Sequence, residues 1–273
     1  MSLSSDIKTG WLNRMLALPN DSIQKTLFVA ISLCLVCAVL VASAAVLLKP
    51  AQVANQALNR KAIILEVAGL RQPGQDVNKA FQQVEARIVD LDTGEYTEEF
   101  DPATYDLRKA AKDPNLSERV PPDLDIANIK SKAKYAPVYL IREGEEIKTI
   151  ILPVHGYGLW STMYGFLALA GDTKTVKGLR FYEHAETPGL GGEIDNAGWL
   201  EQWQGKVVYD EQWQPDIQVV KGVASKSGPE AQHQVDGLAG ATLTARGVMY
   251  LLQYWLSDQG FGHYLERLRT ERV

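Results

Sequence analysis

Apolar residues fall along this chain in three patterns, and each predicts a different kind of element. Residues 27–48, LFVAISLCLVCAVLVASAAVLL, form an uncharged apolar run of about the 20 residues a helix needs to cross a bilayer. A polar head, residues 1–26, precedes it; a cleaved leader has a shorter apolar core nearer the start, so the run predicts a retained anchor, with ASAA at 42–45 the one feature compatible with cleavage. In the head, Trp11, Leu12, Met15, Leu16 and Leu18 are placed for a short interfacial helix ended by Pro19. After the span, AQVANQALNRKAIILEVAGL is rich in helix formers, predicting a stalk helix that bends near Pro50 and stops at Gly69.

The second pattern is alternation. A short helix and a hairpin turning at Asp92-Thr93-Gly94 are predicted from VNKAFQQVEARIVDLDTGEY, then a strand pair around Glu143-Gly144-Glu145 and another around Gly171-Asp172. The third is helical: AGWLEQWQG as a short helix and ARGVMYLLQYWLSDQG as a longer one ending at Gly260, with DIQVVKG a strand between them. Residues 101–133 carry Lys, Asp and Pro with little periodicity and read as a surface excursion without chemistry. Hairpins mixed with helices imply an α+β body, residues 49–273, behind a single N-terminal transmembrane helix.

Composition changes this picture little: 46% hydrophobic and 22% charged residues are ordinary for a folded domain. The net charge of -5 and the scattered cations give nucleic-acid binding no support. Charges flanking the span are nearly balanced, with Lys8, Arg14 and Lys25 before it and Lys49, Arg60 and Lys61 after it, so the positive-inside rule does not decide orientation. Both cysteines, Cys34 and Cys37, lie in the span; a thiol-free body suits an oxidising exterior, and the head is placed inside and the body outside. In an apolar helix this C-x-x-C pair reads as small packing residues rather than a redox or metal site.

Three constellations are candidates for chemistry. HAETPGLGGEI, 184–194, sets Gly189, Gly191 and Gly192 around Pro188, with Glu186 and Thr187 at the strand end; a ligand loop and a plain tight turn are equally compatible. GYGLWSTMYG, 156–165, holds Leu159, Trp160, Ser161 and Thr162, where the aromatic ring could stack on a planar ligand or simply fill a core. Lys221, in VVKG, is an anion partner or a solvated strand-end lysine. DGLAGATLT, 236–244, delivers Thr242 and Thr244 to a helix predicted to begin near Ala245, where free N–H groups favour a phosphate; Thr244 as a plain N-cap is the simpler reading from spacing alone. Asp236 there would position a cation or orient the segment. His155, His184, His233 and His263 lack metal-ligand spacing, and no G-x-G-x-x-G, G-x-S-x-G or Walker A motif is present.

Taken in order, the single span, GLWSTMYG, ETPGLGG, VVKG, DGLAGATLT and the terminal GFGHYLERLR resemble the C subunits of the sodium-translocating NADH:quinone reductases, over nearly the whole chain. The G subunits of the ion-translocating ferredoxin:NAD reductases share the flavin motif, but the 101–133 insertion and the GFGHYLERL ending favour the first family. The resemblance implies FMN joined through its phosphate to the hydroxyl of Thr242, within the motif D-G-x-S/T-G-A-T, by a dedicated flavin transferase. Asp236 matches the motif's acid; Gly240 and Ala241 its G-A, followed by Leu243 and Thr244. Ala239 departs from the usual Ser or Thr.

By the same resemblance the pocket would be lined by Leu159, Trp160, Ser161, Thr162, Glu186, Thr187, Gly189, Leu190 and Lys221. The domain would lie in the periplasm, anchored in the bacterial inner membrane. It would relay electrons from NADH towards ubiquinone, beside the A, B, D, E and F subunits, coupled to sodium export. A membrane-anchored binding or assembly module without a cofactor is the reading from a different class.

Overall fold

Period-two alternation builds the centre of the protein. The computed structural model describes Gly10 and residues 13–271. Within the predicted head helix, 13–16 are helical, while Lys8, Trp11 and Leu12 lie outside the described residues. The chain divides into two units, one ending at Ala57 and the other beginning at Leu58. Helix α1 (Ile23–Val67) runs without interruption through Pro50, and 18 of its residues have a mean hydropathy of 2.8 with none buried. It is one helix long and apolar enough to cross a membrane. Gly69, at φ 72°, follows its end as predicted.

In the second unit, α2 (Val77–Phe81) leads into strands β1 (Glu85–Asp90), β2 (Tyr96–Thr97), β5 (Tyr135–Glu143), β6 (Glu146–Tyr157), β7 (Thr162–Ala170) and β8 (Val176–Glu183). These form a six-stranded sheet in the order β2-β1-β5-β6-β7-β8, antiparallel throughout. Its hairpins turn where expected, at Gly94 and Gly144, both with positive φ. Alternation sends Ile150, Leu152 and Val154 to one face and Ile151 to the other. The second face is covered by Ile63, Ile64 and Val67 at the end of α1 and by Ala80 of α2.

The first face carries the main core, beneath α4 (Ala197–Glu201), α5 (Thr242–Leu256) and α6 (Gly262–Thr270). Trp255 of α5 is wholly buried and donates its Nε1 hydrogen to the His155 carbonyl at 2.6 Å. Such a buried indole needs that acceptor. Two glycines bring α5 onto β6: a Cβ on Gly156 would stand 2.6 Å from Leu251 Cβ, and one on Gly247 only 2.7 Å from the Tyr157 carbonyl oxygen. The helix can lie this close only because neither residue has a side chain.

The 101–133 excursion has more structure than its composition suggests. It holds α3 (Leu107–Ala110) and a ladder of β3 (Ser117–Arg119) with β4 (Ser131–Ala133). Lys132 is buried there because its ammonium meets Glu118 at 2.9 Å and the Gln259 carbonyl at 3.0 Å. DIQVVKG supplies only the short β9 (Gln218–Val219), paired in parallel with β10 (Gln234–Val235).

Candidate functional site

The 236–244 segment leaves β10, turns through Gly240 at φ 71° and enters α5 at Thr242. The capping position is Ala241, and no side chain caps the helix. This corrects the expectation of a helix starting near Ala245 with Thr244 as its cap. Thr244 lies in the first turn, is buried to 1% exposure, and donates its hydroxyl to Glu186 Oε2 at 2.5 Å. A partner distant in sequence thus outcompetes local capping. Thr242 is exposed, beside first-turn N–H groups that no side chain satisfies.

Glu186 is the hub of the site. It is 4% exposed, and besides Thr244 its carboxylate accepts from the backbone N–H groups of Leu159 at 3.1 Å, Trp160 at 3.0 Å and Ser161 at 3.4 Å. Burial pushes its pKa up, but the hydrogen bonds from Thr244 and from the Trp160, Leu159 and Ser161 backbones prevail, and the net direction is down. An ionised carboxylate therefore ties the 159–161 loop to the first turn of α5. Glycines make room for it: a Cβ on Gly158 would lie 2.6 Å from Glu186 Oε1, and one on Gly191 2.5 Å from Thr244 Oγ1. The Ser161 hydroxyl accepts from the Ala185 N–H at 2.8 Å, closing the loop from the other side.

Asp236 orients the segment. Its carboxylate accepts from Ala224 N at 2.6 Å and from Gln202 Nε2 at 3.1 Å, while Trp199 Nε1 donates to its carbonyl at 2.8 Å. Nearby, Gly237 N donates to the Gly222 carbonyl at 2.8 Å, which brings the exposed Lys221 alongside the same segment. The turn through Gly189, at φ 75°, is closed by Leu190 N and Gly192 N donating to the Thr187 carbonyl. It places Leu190 against Gly240, where a Cβ would be 2.9 Å from Leu190 Cδ2.

Around the start of α5 this leaves an open apolar shelf, in which Leu159, Trp160, Leu190 and Leu243 are 39%, 64%, 44% and 53% exposed. Large apolar side chains this exposed and this concentrated mark a binding surface. Thr162 stands apart: it opens β7 opposite Tyr157 and lines a neighbouring cleft with Tyr164 and Arg108. Sequence reasoning missed Arg246. It is exposed, forms no ion pair among the described residues, and lies four positions after Thr242, hence on the same helix face. The signal is the T-x-x-x-R spacing, which carries meaning only in a helix that already includes Thr242.

These elements coincide with what is recognised in other proteins. The FMN-binding domain family matches residues 158–257, from the Glu186-bound loop to the end of α5. The C subunit of the Na(+)-translocating NADH-quinone reductase of Pseudomonas aeruginosa is 50% identical over 253 residues, 91% of this chain and 97% of that one. The chain belongs to this C-subunit family. The Vibrio alginolyticus member is 47% identical over 92% of this chain and 96% of its own. Crystal structures of family members agree with the fold. That of Shewanella oneidensis NqrC superimposes with a TM-score of 0.74 at 31% identity, covering 80% of this chain and 99% of that chain. The Parabacteroides distasonis family member gives 0.62 at 25% identity, covering 80% and 96%. The family's FMN-binding domain thus spans the loop, turn and helix that converge on Glu186.

Proposed function

We propose that this chain is the electron-transfer C subunit of a sodium-translocating NADH:quinone reductase, carrying FMN as a phosphoester on Thr242. The observation that carries the reading is the contrast between two hydroxyls: Thr242 is exposed at an uncapped helix start, whereas Thr244 is buried and bound to Glu186. In forming the ester on a dedicated flavin transferase, the Thr242 hydroxyl oxygen would displace a nucleoside monophosphate from the FMN phosphorus of a flavin dinucleotide donor. The new O–P bond forms as the P–O bond to that leaving group breaks, and the hydroxyl proton goes to the departing phosphate. The first-turn N–H groups of α5 would hold the FMN phosphate at the positive end of the helix dipole, where an anion gains about 0.3–1 kcal/mol at an exposed site. Arg246, one turn along, and Lys221 add positive charge.

When bound, FMN supplies a ring that takes up and releases electrons, with the protein setting its surroundings. Trp160, Leu159, Leu190 and Leu243 offer that ring an apolar surface. Glu186 fixes the loop bearing two of them relative to the attachment turn. Tethering by phosphate leaves the ring unmodified and stops the cofactor from diffusing away. Electrons from NADH arrive through other subunits of the complex and leave towards ubiquinone, coupled to sodium export. The helix from Ile23 holds the chain in the inner membrane, with the domain in the periplasm. The names of the relatives favour this over membership of a ferredoxin:NAD reductase.

The test is the intact mass of the chain made with and without a flavin transferase. The expected gain is FMN less one water, found only with the transferase. An unchanged mass in both samples overturns the covalent reading.

A further inference from the structure

Most exposed large apolar side chains of the second unit gather at two places, and only one of them is the start of α5. The other is a groove of about 820 Å³ between the end of α5, α6 and the 209–215 hairpin, where Leu124, Ile126 and Trp213 are 42%, 46% and 39% exposed. Trp213 is unusual in two respects. Its backbone sits at φ 58°, a conformation costly for a bulky side chain. It is held there by an Asp210 turn, whose carboxylate accepts from the N–H groups of Gln212 and Gln214. The Arg269 guanidinium then lies 3.9 Å from the Trp213 ring centroid, fixing the indole at the surface.

The groove also has a charge. Asp123, Asp258 and Glu266 line it, all are exposed, and none forms an ion pair among the described residues. Arg269 is the one cation lining it and is already stacked on Trp213. A fixed tryptophan with an arginine, ringed by unpaired acids, has the make-up of an interface hot spot for a basic partner. Position supports the same reading. The groove includes Leu256 and Ser257, at the far end of the 15-residue helix from Thr242, so about 22 Å separates the two. A partner seated there leaves the flavin end uncovered.

We propose that this groove docks a basic, apolar-tipped segment of another subunit of the reductase, holding the domain in the complex while its Thr242 end stays free for electron exchange. The inference rests on the functional assignment above, and its test reads out separately from flavin attachment. Two variants of the full chain are expressed within the whole complex and purified through a tag on this chain. Trp213→Asn removes the indole but keeps a residue tolerant of positive φ; the triple change Asp123→Lys, Asp258→Lys, Glu266→Lys reverses the charge. In both, co-purification of the other subunits is expected to fall at least about tenfold, while thermal unfolding and the flavin mass gain remain as in the wild type. A photo-crosslinking residue at Ile126 is expected to join a lysine- or arginine-bearing peptide of another subunit. Full subunit recovery in both variants overturns the proposal, as does a crosslink confined to a second copy of this chain or to lipid. Absence of the flavin mass gain in every sample would instead refute the flavin reading and leave the docking result standing.

Discussion

Thr242 and Thr244 stand two residues apart in the first turn of α5 and face opposite environments: one hydroxyl is exposed, the other is buried against the Glu186 carboxylate at 2.5 Å. Their spacing alone makes them interchangeable. The fold separates them, because only Thr244 falls on the side of the helix that meets the 186–191 loop.

Replacing Thr244 by Val keeps the shape and removes the donor. The Glu186 carboxylate then loses one of its four hydrogen-bond donors in a buried setting, a cost of about 1–3 kcal/mol. Thermal unfolding of the flavin-free chain should show a lower midpoint, while Thr242 remains a competent acceptor in the mass measurement. Loss of the mass gain in this variant would assign the attachment to the wrong hydroxyl.

Glu186 makes the domain sensitive to acid. Its folded pKa is depressed, so its stabilising contribution is complete above the unfolded value of about 4.3 and is lost as pH falls through the lower folded value. Glu85 and Asp172 are also depressed and act in the same direction. Urea midpoints measured as pH falls from about 5.5 to 3 should therefore decline less steeply in Glu186→Gln than in the wild type. Equal slopes would mean that the carboxylate is not held as an ion in the fold.

Gly191 and Thr244 should be coupled energetically. An alanine Cβ at 191 would lie 2.5 Å from Thr244 Oγ1, so Gly191→Ala overpacks the site at a cost of about 1–3 kcal/mol. Removing the hydroxyl in Thr244→Ala relieves the clash, and the double variant should cost less than the sum of the two. Additive losses in a denaturation cycle would show that the two residues are not in contact.

Trp160 is exposed enough that Trp160→Ala should change stability by no more than about 0.5 kcal/mol. On the function proposed above, its effect belongs to the cofactor. Fluorescence of the attached flavin should brighten when the indole is removed, because an aromatic side chain stacked on the ring quenches it. An unchanged quantum yield would place the ring away from the shelf.

The antiparallel sheet was legible because β5 to β8 are apolar runs of strand length separated by turn residues such as Gly144 and Gly171-Asp172, signals that need no tertiary information. The two-residue β9 and β10 were not, since their parallel pairing depends on segments brought together by the rest of the fold. The start of α5 lies three residues earlier than its pattern predicts because Thr244 has the chemistry of a cap; its actual partner is 58 residues upstream and invisible to local pattern. Glu186 was recognisable as part of a motif. Its role as a clamp was not, because its backbone donors come from a loop 25 to 27 residues away. Lys132 was hidden for a similar reason: a lysine in a polar stretch reads as solvated until Glu118 and Gln259 are seen around it.

The central claim is that Thr242 carries FMN through its phosphate, and the most direct measurement is the intact mass of wild type and Thr242→Val, each expressed with a flavin transferase. The account predicts a gain of FMN less one water in the wild type and none in the variant. The same gain in Thr242→Val, or no gain in either, would contradict it.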